Sequence, residues 1–342
     1  ANPSSAHSEG RAARAGMERA RADIAATLGW RPDIRFTSGA TEAIGLVLAR
    51  VRTEALFASA AEHAAFRRAA RAPEPIPVTR EGIVEPERVA EAIAGAERPL
   101  VAVQAVNNET GVIQPLDEIA PVVAEAGGLL FADCVQSAGK IPLPDADFIS
   151  ISAHKVGGPP GVGALLVKDL GALAALSGQE KGYRPGTQNL PAIMGFAAAV
   201  GAGSGWLSGM AALRARLEEA IGPYGAEIAG GGAPRMPTIA LYRMPGVRSE
   251  MQLVEFDLAG IAVSVGSACS SGSMKPSPVL SAMGWSEDEA REVIRVSFGR
   301  GTGEADVDAF AEAWRALASK HGLEPRGKEA GGEMRAASGQ AA

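Results

Sequence analysis

Several short polar clusters interrupt otherwise apolar stretches of the chain, and each has a chemistry open to it. Asp133 closes the run Leu129–Ala132, with Gln136 shortly after, and Ser152-Ala153-His154-Lys155 closes the run that begins at Phe148. In an open α/β sheet the carboxyl ends of the strands gather at the ligand crevice, so Asp133, Gln136, Ser152, His154 and Lys155 are expected to converge there. Upstream, the apolar run Ile34–Thr37 leads directly into Ser38-Gly39-Ala40-Thr41-Glu42, a small-residue turn at a predicted helix start. Such a turn exposes backbone N–H groups at the positive end of a helix dipole and can seat a phosphate, although Ser-Gly-x-Thr is also an ordinary helix cap. A P-loop is excluded, because no Gly-Lys-Ser/Thr follows.

An aspartate facing a lysine across a pocket has two readings. One is a structural ion pair. The other is a pyridoxal phosphate site, with Lys155 forming the Schiff base and Asp133 keeping the pyridine nitrogen protonated so that the ring acts as an electron sink. His63 follows an apolar run and could be a capping or surface residue or a proton carrier. Of the two cysteines, Cys134 ends a core strand and reads as structural. Cys269 lies in Gly266-Ser267-Ala268-Cys269-Ser270-Ser271-Gly272-Ser273, a run too small to pack into a core and expected to be a mobile loop that carries a nucleophile. The cysteines are 135 residues apart and the four histidines show no zinc-ligand spacing, which argues against a disulfide scaffold and a metal site.

The elements that must position these residues follow from periodicity. The pattern from Glu9 to Leu28 is an amphipathic helix ended by Gly29. Strands at Ile34–Thr37, Ala55–Ser59, Leu100–Val106 and Leu129–Cys134 alternate with helices at Glu42–Val51, Ala64–Arg71, Pro86–Ala94 and Leu116–Glu125. This βαβ rhythm predicts a mostly parallel sheet with helices on both faces. Strands Phe148–Ala153 and Ala164–Val167 are joined by too few residues for a helical crossover and should be antiparallel. After a Gly/Ser-rich stretch at Gly201–Gly209, a helix through Met210–Ile221 leads into a second set. It comprises strands at Thr238–Tyr242, Val263–Gly266 and Arg295–Phe298, and helices at Glu250–Leu258, Pro276–Met283 and Ala305–His321. The expected organisation is a large domain over residues 1–203 and a smaller C-terminal α/β domain over residues 204–323, followed by a disordered tail over residues 324–342.

Over 342 residues the composition is 46% hydrophobic and 21% charged, which suits a globular fold, and the net charge of −6 gives no basic face for nucleic acid. The uncharged stretch Pro185–Leu213 is broken by polar residues and reads as a buried core helix, not a membrane span. No secretory segment opens the chain, so a cytoplasmic address is expected.

The ordered series Ser38-Gly39-Ala40-Thr41-Glu42, Ala61-Glu62-His63, Asn107-Asn108-Glu109-Thr110-Gly111, Asp133-Cys134-Val135-Gln136-Ser137-Ala138-Gly139-Lys140, Ser152-Ala153-His154-Lys155, Arg184-Pro185-Gly186-Thr187, Gly266–Gly272 and Arg295-Val296-Ser297-Phe298-Gly299-Arg300 resembles that of the NifS/IscS-like cysteine desulfurases. These are class V aminotransferase-type enzymes with the pyridoxal-phosphate-dependent transferase fold type I, and the resemblance runs from Asn2 to about Leu317. In that family a strand and an Ala-Thr-Thr-Pro motif normally precede the Asn-Pro-Ser-Ser found here at Asn2–Ser5, so such a segment is expected upstream.

The resemblance implies a role for each matching residue. Ala40, Thr41, Ser152 and His154 would hold the cofactor phosphate, joined by Thr187 from the partner subunit of a homodimer. His63 would stack on the ring and move protons, Asn108 and Gln136 would bond the ring substituents, and Arg295 would fork the substrate carboxylate with Asn108 nearby. Cys269 would take sulfur from L-cysteine as a persulfide, leaving L-alanine, and pass it to an acceptor or scaffold protein for iron–sulfur cluster or thio-cofactor synthesis. Alternatives on the same scaffold are a selenocysteine lyase or an aminotransferase, and outside catalysis a partner-binding paralogue.

Overall fold

The computed structural model describes residues 1–53, 55–69, 71–176, 178–265 and 277–325. Helix α1 (Ser8–Leu28) is capped at its start by His7, whose Nδ1 accepts the Gly10 N–H, and ends at Gly29, where a φ of 68° supplies the left-handed turn. The strands β1 (Asp33–Thr37), β2 (Leu56–Ser59), β3 (Glu74–Ile76), β4 (Leu100–Gln104), β5 (Leu129–Asp133), β6 (Phe148–Ser152) and β7 (Gly163–Val167) form one sheet in the order β1-β7-β6-β5-β4-β2-β3. Strands β3, β2, β4, β5 and β6 run parallel, while β7 is antiparallel to both β6 and β1.

Apolar residues alternate between the two faces of this sheet, and helices cover both. Val101 and Val103 of β4 belong to the same apolar cluster as Met17 and Ile24 of α1 and Ile193 and Phe196 of helix Leu190–Gly201. Leu100 and Ala102 pack with Ala43, Ile44, Val47 and Leu48 of α2 (Ala40–Arg50) on the other face. Burial on both faces explains why the central strands read as continuous apolar runs. It also accounts for the uncharged stretch, since helix Leu190–Gly201 packs against α1. Among the described residues no single helix is long and apolar enough to cross a membrane; Leu190–Gly201 and Gly205–Tyr224 would qualify only as a pair, and that pair is bent by 49°.

The second sheet contains β8 (Glu227–Ile228), β9 (Ile239–Arg243), β10 (Ser264–Val265) and β11 (Val293–Ser297), antiparallel in the order β10-β11-β9-β8. Helices Met210–Ile221, Ser249–Leu258 and Glu304–Lys320 pack on it around Tyr242, Phe256, Phe310 and Trp314, with the Phe256 and Phe310 rings stacked at 4.7 Å.

Several details differ from the sequence expectation, among them the short helices Gln179–Gly182 and Glu287–Ala290. Strands β3 and β8 were not foreseen, because β3 is three residues long with Pro75 at its centre and β8 has only two residues. The helix expected at Ala64–Arg71 stops at Arg67. The strand expected to run to Val106 ends at Gln104, and beyond it Val106 makes only an isolated bridge to Ile113.

Candidate active site

The sheet topology brings the polar strand ends to one edge. Thr37 lies opposite Gly163, Gly163 opposite Ser152, and Asp133 opposite Gln104, so the ends of β1, β6, β5 and β4 open on the same side. At that edge a cavity of about 500 Å³ is lined by Ala40, Thr41, His63, Asn108, Asp133, Gln136, Ser152, His154, Lys155 and Arg295. All of these were singled out from sequence. Thr187 is exposed and is not part of this lining, and Cys269 lies outside the described residues.

One end of the cavity is built for an anion. Gly39 caps α2 with a φ of 153°, and the first N–H groups of a helix have no carbonyl partner within it. A Cβ on Gly163 would stand 2.5 Å from the Ile151 oxygen and 2.8 Å from the Gly39 Cα, so glycine is required for the turn to lie this close to β7. The Ser152 hydroxyl and His154 Nδ1 are 2.9 Å apart at the same end. Glu42 holds the turn from below, accepting the Ser38 N–H and pairing with Arg184 at 3.0 Å.

The middle of the cavity is acidic. Oδ1 of the buried Asp133 accepts the Val135 N–H at 3.0 Å and the Ser150 hydroxyl at 2.9 Å. Burial pushes its carboxyl up, while these two bonds and His63 pull it back. Beside it Glu62 is buried and accepts the Gln104 and His63 N–H groups. Burial, then the Asp133 charge, pushes Glu62 well above the usual carboxylate range, so that both carboxyls are raised and Glu62 the more strongly.

His63 is both a cap and a cavity residue. Its Nδ1 accepts the Ala65 N–H at 3.2 Å, which assigns the ring proton to Nε2 in the neutral imidazole. Burial lowers its affinity for a second proton against the pull of Asp133, and Arg67 and Lys155 lower it further. His154 is lowered likewise, by burial and then by Lys155.

Arg295 reaches the cavity from β11. Its Nη1 donates to the Asn108 carbonyl at 3.1 Å and Nη2 to the Ser264 hydroxyl at 3.4 Å, while its Nε is buried with no partner among the described residues. Ser150 and Gln104 were not singled out as site residues. The signal was present in β6, where Ser150 and Ser152 sit two apart in an apolar strand and therefore share a face.

Comparison with known proteins agrees with this arrangement. Residues 1–310 match the family described as Aminotransferase class-V. The chain belongs to this family. A cysteine desulfurase of Frankia sp. is 35% identical, with 91% of this chain and 83% of the relative covered, and one of Archaeoglobus fulgidus is 36% identical over 91% and 88%. Among solved structures, the NifS-like protein of Rickettsia africae superposes with a TM-score of 0.84 at 32% identity, covering 93% of this chain and 92% of that one. SspA, solved in complex with cysteine, superposes at 0.75 and 30% identity, covering 87% and 90%.

Class-V aminotransferases and cysteine desulfurases depend on pyridoxal phosphate, and the residues present fit it. A helix N-terminus with Ser152 and His154 matches the phosphate, the buried Asp133 carboxyl matches a ring nitrogen, and Lys155 supplies the amine. The donor set therefore has the right polarity at each end of the cavity.

Proposed function

We propose that the protein is a cysteine desulfurase that converts L-cysteine to L-alanine and carries the sulfur as a persulfide on Cys269. The observation that supports this most is the convergence of Lys155, Asp133, His63 and Arg295 on one cavity beside the N-terminus of α2. The cysteine bound to the structural neighbour SspA agrees with the substrate. Residues 1–203 form the cofactor-binding unit in this reading, and residues 204–323 the unit that brings Arg295 and Cys269.

Bound pyridoxal phosphate would supply an electron sink for charge developing at the substrate Cα. Ala40, Thr41, Ser152 and His154 hold its phosphate, with Thr187 contributed by a second copy of the chain. Asp133 holds the ring nitrogen, and Asn108 and Gln136 bond its substituents. The Arg295 guanidinium, part of the cavity lining, binds the carboxylate of cysteine. His63, neutral at physiological pH and protonated on Nε2, is suited to hand protons over at the substrate.

The Cys269 thiolate attacks the substrate sulfur. An S–S bond forms and the Cβ–S bond breaks, its electron pair staying on the three-carbon fragment, which takes up a proton and leaves as alanine. The persulfide then passes to an acceptor protein, in a cytoplasmic homodimer serving iron–sulfur cluster or thio-cofactor synthesis.

The test is the purified protein incubated with cysteine, following alanine by amino-acid analysis and persulfide by alkylation and peptide mass. Alanine formed in step with a persulfide on Cys269 is the expected result. Colourless protein that takes up no pyridoxal phosphate, or pyruvate and ammonia in place of alanine, would overturn it.

A further inference from the structure

A carboxylate stands at the phosphate end of the cofactor cavity. Glu42 is part of the lining there, beside Ser38, Gly39, Ser152 and His154, and one of its oxygens accepts the Ser38 N–H. Burial pushes its carboxyl up, but the Ser38 N–H and Arg184 more than offset this and hold it below the ordinary value, so it is ionised at neutral pH. A phosphate seated on the N-terminus of α2 would meet a like charge. His154 does not offset that charge, since burial and then Lys155 lower it and leave it neutral.

Arg184 does offset it. From outside the lining it grips Glu42 at two points, Nε to Oε1 at 3.0 Å and Nη2 to Oε2 at 3.5 Å. The segment that delivers this arginine is strained. Glu180 and Lys181 have φ of 52° and 57°, a left-handed conformation that residues with a Cβ disfavour. The Glu180 side chain is fully buried beneath them, where it accepts the Phe36 N–H of β1 at 3.1 Å and the Gln188 amide at 2.9 Å and pairs with Arg21 at 3.0 Å. Tyr183, next to Arg184, is pinned as well: Arg50 donates to its carbonyl at 2.9 Å, and its hydroxyl donates to the Leu170 carbonyl at 3.0 Å. Strain held in place from several sides points to a placement with a task, and the placement here is that of Arg184 on Glu42.

We propose that Arg184 is a positioning residue for the cofactor phosphate: it neutralises Glu42 and holds that carboxylate on the Ser38 N–H, so that the N-terminus of α2 receives a phosphate without repulsion. The proposal rests on the reading of this end of the cavity as the phosphate seat.

Binding to the full chain stripped of cofactor tests it, with inorganic phosphate followed by calorimetry and pyridoxal phosphate and pyridoxal by absorbance. Arg184→Gln should weaken both phosphate-bearing ligands about tenfold, the effect of one uncompensated like charge, and leave pyridoxal unchanged. Adding Glu42→Gln removes the charge that Arg184 answers, so the double variant should regain wild-type phosphate affinity to within about twofold. Arg184→Lys should keep most of the affinity, and Arg184→Met is a second neutral variant should the first fold poorly. Equal weakening toward pyridoxal would mean that Arg184 only braces the cavity. A loss that persists in the double variant would mean that Arg184 acts by a route other than Glu42, and an unchanged phosphate affinity in the neutral variants that it does not act at all; each of the three overturns the proposal. The inorganic phosphate arm needs no Schiff base and no turnover. Protein that binds inorganic phosphate but not pyridoxal phosphate would refute the desulfurase reading and leave the effect of Arg184 measurable, whereas wild-type protein that binds neither would overturn both.

Discussion

The Arg295 guanidinium on the small sheet donates to the backbone carbonyl of Asn108 beyond the end of β4, at 3.1 Å, and so ties the two sheets together at the cavity. Nη1 makes this link and Nη2 donates to Ser264, while Nε is buried with no partner among the described residues. Replacing Arg295 with lysine retains a charge but not a planar fork. The expected result is a raised KM for cysteine with an undisturbed cofactor spectrum, and a loss in kcat/KM of roughly ten- to a hundredfold, from the about 1.5–3 kcal/mol of a charge-assisted bond. Arg300→Lys serves as control. Arg300 lies over the Trp206 ring at 5.6 Å and donates to the Gly203 carbonyl at 2.9 Å, contacts outside the cofactor cavity, so its kinetic loss should be small. Equal losses at both positions would assign Arg295 to the fold.

Lys155 and the phosphate end of the cavity are separate attachments. Lys155→Ala should abolish borohydride-stable labelling while leaving weaker cofactor binding, because the N-terminus of α2, Ser152 and His154 remain. Reduction followed by peptide mapping reads the first and equilibrium dialysis the second. Label recovered on a lysine other than Lys155 would move the active site.

How much of this was legible in the sequence depended on the length scale of the signal. The central strands β4, β5 and β6 announce themselves because burial on both faces makes each an apolar run, and the polar residue closing each run marks the ligand edge. The short link between β6 and β7 predicted their antiparallel pairing, which the register confirms. That β1 would sit beyond β7 and pair antiparallel to it was not legible, since its partner is more than a hundred residues away and a βαβ rhythm favours sequential neighbours. The bond from Ser150 to Asp133 and the coupling of Glu62 to Asp133 arise only once neighbouring strands are in register. Arg295 was reached through the family resemblance; nothing local marks an arginine on a small-sheet strand as facing another sheet.

The two cysteines should separate cleanly in experiment. Cys134 is fully buried, and burial pushes its thiol up to about 12, so it is neither accessible nor ionised at neutral pH. Cys134→Ala should leave turnover unchanged and cost about 1 kcal/mol or so of stability through lost packing. Cys269→Ser should retain the cofactor spectrum and its response to cysteine yet form no persulfide. Iodoacetamide should accordingly label Cys269 in the native protein and Cys134 only after denaturation. Rapid native labelling of Cys134, or persulfide formation by the Cys269→Ser protein, would contradict the assignment.

Glu109 should give the fold a measurable pH dependence. The side chain is buried beyond β4 and accepts the hydroxyl of Ser277, which caps helix Pro278–Ala282. Burial pushes its carboxyl above the usual 4.5, against the Ser277 bond and the charges of Arg295 and Arg67. A carboxyl raised in this way keeps its proton in the folded state where the unfolded chain has released it. Its contribution is therefore complete below the unfolded value and is lost as pH rises through the folded one. Glu109→Gln keeps an oxygen for Ser277 and removes the ionisation. Urea unfolding of cofactor-free protein between about pH 5 and pH 8 should show wild type losing more stability than the variant across this range. Asp133 and Glu62 are raised in both proteins, so they cancel from the comparison and the difference in slope belongs to Glu109. Identical slopes would mean that Arg295 and Arg67 keep Glu109 ionised throughout, making it a fixed counter-charge for Arg295 instead of a neutral acceptor for Ser277.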